Sequence, residues 1–105
     1  MTTRKINESE EELLFQKLNL ETGKIGWPEL QRHFARGVII IVAKKLDLVE
    51  VAQQFSDNNK AVVQSWIDQG LVRPANDNDA INWNAVQQEF WAVVAAPWVL
   101  VQVVN

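Results

Sequence analysis

Cysteine is absent from the 105 residues. That removes disulfides, thiol nucleophiles and cysteine-ligated zinc or iron–sulfur sites together, and it fits a reducing compartment such as the cytoplasm. Histidine occurs once, as His33. A metal site would need two or three further ligands nearby, and no second imidazole or any thiolate exists to supply them. The sequence holds no Ser–His–Asp order, no glycine-rich phosphate loop and no HExxH pattern, so no catalytic constellation, cofactor or metal is expected. Charge of one sign is also scarce. The net charge of −3 gives no overall attraction to nucleic acid or anionic lipid. At the start, Arg4 and Lys5 lead into Glu8, Glu10, Glu11 and Glu12 rather than an apolar run, so a secretory leader is not expected. The uncharged stretch from Phe90 to Val104 is broken by Pro97 and Gln102. It is shorter than the roughly 20 residues of a spanning helix and its valines favour strand, so it does not read as a membrane anchor.

What is present is an ordinary globular composition. Hydrophobic residues make up 48% and charged residues 22%, and a chain of this length buries about two-thirds of its unfolded surface. No repeat or linker divides it. The reading is a polar, flexible tail over residues 1–8 and one globular domain over 9–105.

Periodicity and punctuation place the elements. Ser9 with Glu12 forms a capping-box pattern ahead of Leu13, Leu14 and Leu18, predicting a helix from about Glu10 to Leu20 that ends before Gly23. Trp27-Pro28 opens a second helix with proline in its first turn, and Gly37 stops it in the left-handed region. Trp27, Leu30 and Phe34 share one face of this helix, with Glu29, Arg32 and Arg36 opposite. Val38 to Ala43 is a continuous β-branched run and predicts a strand buried on both faces. A third helix starts at Leu46-Asp47 and carries Leu48, Val51, Ala52 and Phe55 inward. After a polar turn, a fourth helix runs from about Asn59 to Gln69, with Val62, Val63, Trp66 and Ile67 inward and Gly70 ending it. Leu71 to Pro74 is extended. Residues 80–90 follow helical spacing through Ala80, Trp83 and Phe90, with Asp77 or Asp79 as cap. A hairpin between Ala80–Trp83 and Leu71–Pro74 competes with that reading. Trp91–Ala95 and Trp98–Val104 read as strands with Pro97 at the bend. The fold class is therefore α+β: four to five helices, including a helix-turn-helix-like pair, packed on a small sheet formed by residues 38–43 and the C-terminal strands.

Three groups are candidates for function. The third and fourth helices, followed by an extended Gly70–Arg73, have the order of parts of a winged-helix protein. However, residues 47–73 carry Asp47, Glu50, Asp57 and Asp68 against Lys60 and Arg73 alone. A groove-reading helix brings Arg or Lys to phosphates and guanine edges, whereas the outward face here presents Ala61, Gln64, Ser65 and Asp68. The chemistry argues against nucleic acid, and a core-forming helix pair explains the pattern. The second group, Arg32, Arg36, Lys44 and Lys45, is a candidate anion site because arginine grips carboxylate or phosphate bidentately. A solvated helix face with Glu29 opposing Arg32 explains the same residues. His33, at the border of the apolar face, reads as a partly buried, hydrogen-bonded side chain. The third group is tryptophan. Five in 105 residues is high, and Trp91 and Trp98, with Leu100 in the valine-rich tail, are the candidate interface, since an apolar edge strand must be covered or paired.

The segments Trp27 with Leu30, Phe34-Ala35-Arg36-Gly37-Val38, Leu46-Asp47-Leu48-Val49-Glu50-Val51-Ala52, Val63 with Trp66, Gly70, Phe90-Trp91-Ala92-Val93-Val94 and Pro97-Trp98-Val99-Leu100-Val101-Gln102 together resemble a family of small bacterial proteins known as a domain of unknown function. The likeness runs from about Leu13 to Gln102, and the tail is its most specific part. The resemblance implies a bacterial, cytoplasmic, stand-alone domain and carries no activity, cofactor or site. The expected function is a small non-enzymatic protein that self-associates or docks on an unidentified protein partner. A winged-helix regulator, or an anion binder at the basic group, is the alternative.

Overall fold

The structure, a computed structural model, describes residues 22–104. The expected tail over residues 1–8 and the expected helix over 10–20 lie outside the described residues. Four helices pack on a five-stranded mixed sheet, an α+β fold. Strand β1 (Gly23–Gly26) leads directly into α1 (Trp27–Ala35), which is followed by β2 (Ile39–Val42), α2 (Leu48–Ser56), α3 (Lys60–Asp68), β3 (Val72–Pro74), α4 (Asp77–Val86), β4 (Glu89–Ala95) and β5 (Trp98–Val103). The sheet order is β1-β4-β5-β2-β3. β2 and β5 run parallel, and the other neighbours run antiparallel.

Local chemistry sets most boundaries. Pro28 occupies the first turn of α1, and the Gly26 backbone N–H reaches Glu29 Oε1 at 3.4 Å. Gly37 takes φ +76° and donates its N–H to the Phe34 carbonyl at 2.9 Å, closing the helix in the left-handed conformation that glycine adopts without a Cβ penalty. Asp47 Oδ1 accepts from the backbone of Val49 at 2.9 Å and of Glu50 at 3.2 Å, capping α2. Asn59 Oδ1 accepts from Val62 at 3.4 Å and caps α3.

The period-two alternation of the strands splits the interior into two cores. Phe90, Ala92 and Val94 of β4, Val99 and Val101 of β5, and Ile39 of β2 face α1 and α4, where they meet Trp27, Leu30 and Trp83. Trp83 stands edge-on to Phe90 at 4.8 Å between ring centroids. Val93, Ala95, Leu100, Ile40 and Val42 face the other way, toward Leu48, Val51 and Ala52 of α2. Helices on both faces explain why residues 38–43 and the C-terminal tail read as unbroken apolar runs.

Three sequence-based expectations change. The sheet has five strands, because β1 and β3 pair onto its two edges. β1 escaped notice because two of its four residues are glycine, which gives no strand signal. Residues 80–90 do not form one element. The helix begins at Asp77 and ends at Val86, Gln87 turns left-handed at φ 52°, and Phe90 already lies in β4. The competing hairpin is not formed, since β3 pairs with β2 instead. Asn76 caps α4, rather than Asp77 or Asp79. Its Oδ1 accepts from the Asp79 backbone at 3.0 Å, while Asp79 Oδ2 accepts from the Asn76 backbone at 2.8 Å.

Candidate binding groove

A cavity of about 420 Å³ opens between the α2–α3 hairpin and the β3 edge of the sheet. Its apolar walls are Phe55 of α2, Val63 and Ile67 of α3, Ile40 of β2, Val72 of β3 and Trp98 of β5. The cavity exists because α3 overhangs a sheet that ends: β3 is three residues long and forms the last strand. No residue of α3 is fully buried. Its two apolar stripes diverge, with Trp66 packing on the α2-side core while Lys60, Val63, Gln64 and Ile67, at the i, i+3, i+4, i+7 spacing of one helix face, line the opening. Ile67 remains 45% exposed.

Polar groups form the rim. Gln54, Asn58, Asn59 and Lys60 surround the α2–α3 turn, where Asn59 Nδ2 donates to Gln54 Oε1 at 2.9 Å. Arg73 and Pro74 line the β3 side. Arg73 places its fork on Asp79, Nη1 to Oδ2 at 2.8 Å and Nη2 to Oδ1 at 2.9 Å. The hydrogen-bonded guanidinium holds the Asp79 carboxyl below its usual range, and the carboxylate raises Arg73 in return. Among the described residues, Lys60 and Arg73 are the ionised side chains of the lining, and no carboxylate belongs to it. The arrangement has an apolar floor and a weakly cationic rim. Among the described residues, no nucleophile stands beside a base in this lining.

The sequence-predicted residues are dispersed around this site. Trp98 lines the groove. Leu100 is 0% exposed beneath α2, enclosed by its own chain, so of the expected interface only Trp91 and Trp98 reach solvent. Trp91 is 41% exposed on the β4 face, with Lys24 Nζ 5.2 Å from the ring centroid. Arg32 lies on α1 and Arg36 caps its C-terminal end, and both are engaged in interactions of their own. Arg36 precedes β2 and Lys44 and Lys45 follow it, so the strand, with a rise of about 13 Å, separates the C-terminal end of α1 from the lysine turn. Outward on α3, Gln64 Nε2 donates to Asp68 Oδ1 at 2.9 Å and Gln69 Nε2 to Ser65 Oγ at 3.0 Å, so these side chains bond to one another. The segment after α3 is β3, bonded into the central sheet through β2.

His33 is 2% exposed. Burial, and secondarily the neighbouring Arg32 charge, lower its pKa, and among the described residues neither its Nδ1 nor the Trp27 indole nitrogen has a hydrogen-bond partner. Among the described residues, no group of three or more His, Asp or Glu is placed to hold a metal ion. No helix there is long and apolar enough to cross a membrane.

Residues 13–103 match the model of DUF2288, described as a protein of unknown function. The chain belongs to the DUF2288 family. The DUF2288 fold is similar to the NMR solution structure of PA1075 from Pseudomonas aeruginosa, with a TM-score of 0.77, 35% identity, and coverage of 96% of this chain and 92% of that one. No curated protein matches the sequence.

Sequence reasoning missed the groove itself. The sequence spacing turns Phe55, Val63 and Ile67 inward as core, and its one hint is Lys60 on the same helical face as Val63 and Ile67. Nothing local reveals that β3 ends the sheet beneath them.

Proposed function

We propose that this DUF2288 domain is a non-enzymatic protein-interaction domain of a bacterial cytoplasm, and that it takes apolar side chains of a protein partner into the groove between α3 and β3. One observation carries the reading: the Val63–Ile67 face of α3 overhangs an open apolar cavity that ends at Trp98. A helix stripe that the described residues leave unburied is ground for a partner's anchors. The missing thiols and the absence of a nucleophile–base pair in the lining support binding over catalysis. The Pseudomonas origin of the PA1075 structure supports the bacterial assignment.

The test is a heteronuclear NMR titration with short amphipathic peptides, read at the Val63 and Ile67 methyls and the Trp98 indole. Perturbation confined to those groups supports the reading. Sedimentation at rising protein concentration is run alongside. If the same signals move on self-association, the partner is a second copy of this chain. Perturbation that avoids the groove under both conditions removes the proposal.

A further inference from the structure

The groove carries information about the charge of its occupant as well as its polarity. We infer that the partner segment is acidic: an amphipathic stretch whose apolar side chains fill the cavity while its carboxylates meet Lys60 and Arg73. This rests on the groove being the docking surface.

The domain as a whole is negative, with 13 carboxylates against 10 cations, yet the lining departs from that balance. Among the described residues, its ionised side chains are Lys60 and Arg73, and no Asp or Glu lines it. Lys60 is the first residue of α3, so the positive end of that helix lies on the same side as its ammonium. At the opposite rim, Arg73 already displays its selectivity. Its fork holds Asp79 in a two-point contact at 2.8 and 2.9 Å, the geometry by which guanidinium recognises carboxylate. Asp79 offsets much of the Arg73 charge, and Arg73 Nη1 also donates to the Pro74 carbonyl at 3.2 Å, so Lys60 is the stronger discriminator. A cationic segment would meet Lys60 in repulsion, with Asp79 already matched to Arg73 and no carboxylate among the described lining residues to compensate.

The experiment compares two capped twelve-residue amphipathic peptides. They share Leu and Phe at the i, i+3, i+4 and i+7 positions and carry either Glu or Lys at the others. The acidic peptide is expected to bind about three- to fivefold more tightly at low salt, the worth of one or two partly exposed ion pairs, and the difference should narrow as salt rises. Lys60→Glu folds as the parent does, because the residue is exposed and a helix start favours glutamate. This variant is expected to erase or reverse the preference. Equal binding of the two peptides, or an acidic preference that survives K60E, overturns the inference while leaving the groove as a docking surface. If neither peptide perturbs the groove signals, the reading of function fails with it.

Discussion

Arg73 of β3 and Asp79 of α4 are joined by two parallel hydrogen bonds, Nη1 to Oδ2 at 2.8 Å and Nη2 to Oδ1 at 2.9 Å. The same Asp79 carboxylate accepts the Asn76 backbone N–H at 2.8 Å, so one side chain both starts α4 and ties it to the sheet edge that walls the groove.

Replacing Asp79 by alanine is therefore expected to lower stability by about 1–2 kcal/mol. Most of that comes from the lost cap, because the Arg73 side chain is 47% exposed and its ion pair is screened. The folded state holds the carboxyl below its ordinary value near 3.8. Its contribution is thus complete above that value and is lost as pH falls through the folded pKa. Urea titrations of parent and variant should differ near neutrality and converge in acid.

His33 gives a second pH dependence with a different window. Burial keeps the folded imidazole neutral below its ordinary value of 6.5, so the unfolded state takes up protons first as pH falls. Stability is whole above about 6.5 and declines below it toward the folded pKa. His33→Gln should flatten the fall in melting temperature between neutral pH and pH 5, leaving the carboxylate-driven loss at lower pH.

Leu100 and Trp91 belong to the same face of the hairpin but to different environments. Leu100→Ala is expected to cost about 2–5 kcal/mol, as for other fully buried leucines. Trp91→Ala removes a half-exposed ring and its Lys24 contact, a loss of about 1 kcal/mol. Chemical denaturation distinguishes them. A Trp91 variant as unstable as the Leu100 variant would contradict the exposed placement.

Gln102 is the fourth stability test. Its Nε2 donates to the Ala43 carbonyl at 2.9 Å and the Leu46 carbonyl at 2.8 Å, fixing the Lys44–Lys45 turn to β5. Gln102→Leu leaves both carbonyls without this donor and is expected to cost about 1–3 kcal/mol. Amide exchange should accelerate at the turn and at the start of α2 while the β4–β5 centre stays protected.

The elements themselves were legible because their signals are local. Pro28 and Gly37 bracket α1, Asp47 starts α2, Gly70 follows α3, and the valine-rich halves of the tail meet at Pro97, each through the conformational preference of one or two residues. The continuous apolar run of residues 38–43 likewise announced a strand covered on both sides, while the tail read as strand that could equally have formed an edge. β1 was silent because its glycines carry no pattern, and α4 was ambiguous because Trp83 is the one residue it fully buries.

Sequence alone determined most segments that become helix or strand, β1 and α4 excepted, that cysteine chemistry is excluded, and that the cohesion of the tail is apolar. Tertiary structure decided which tail residues stay reachable and where a binding surface lies. Leu100 and Trp98 are two residues apart on one strand face, yet α2 covers the first while the second borders a groove. That difference arises where a three-residue edge strand stops short beneath an overhanging helix. Strand order and helix placement are long-range properties, which no window of neighbouring residues encodes.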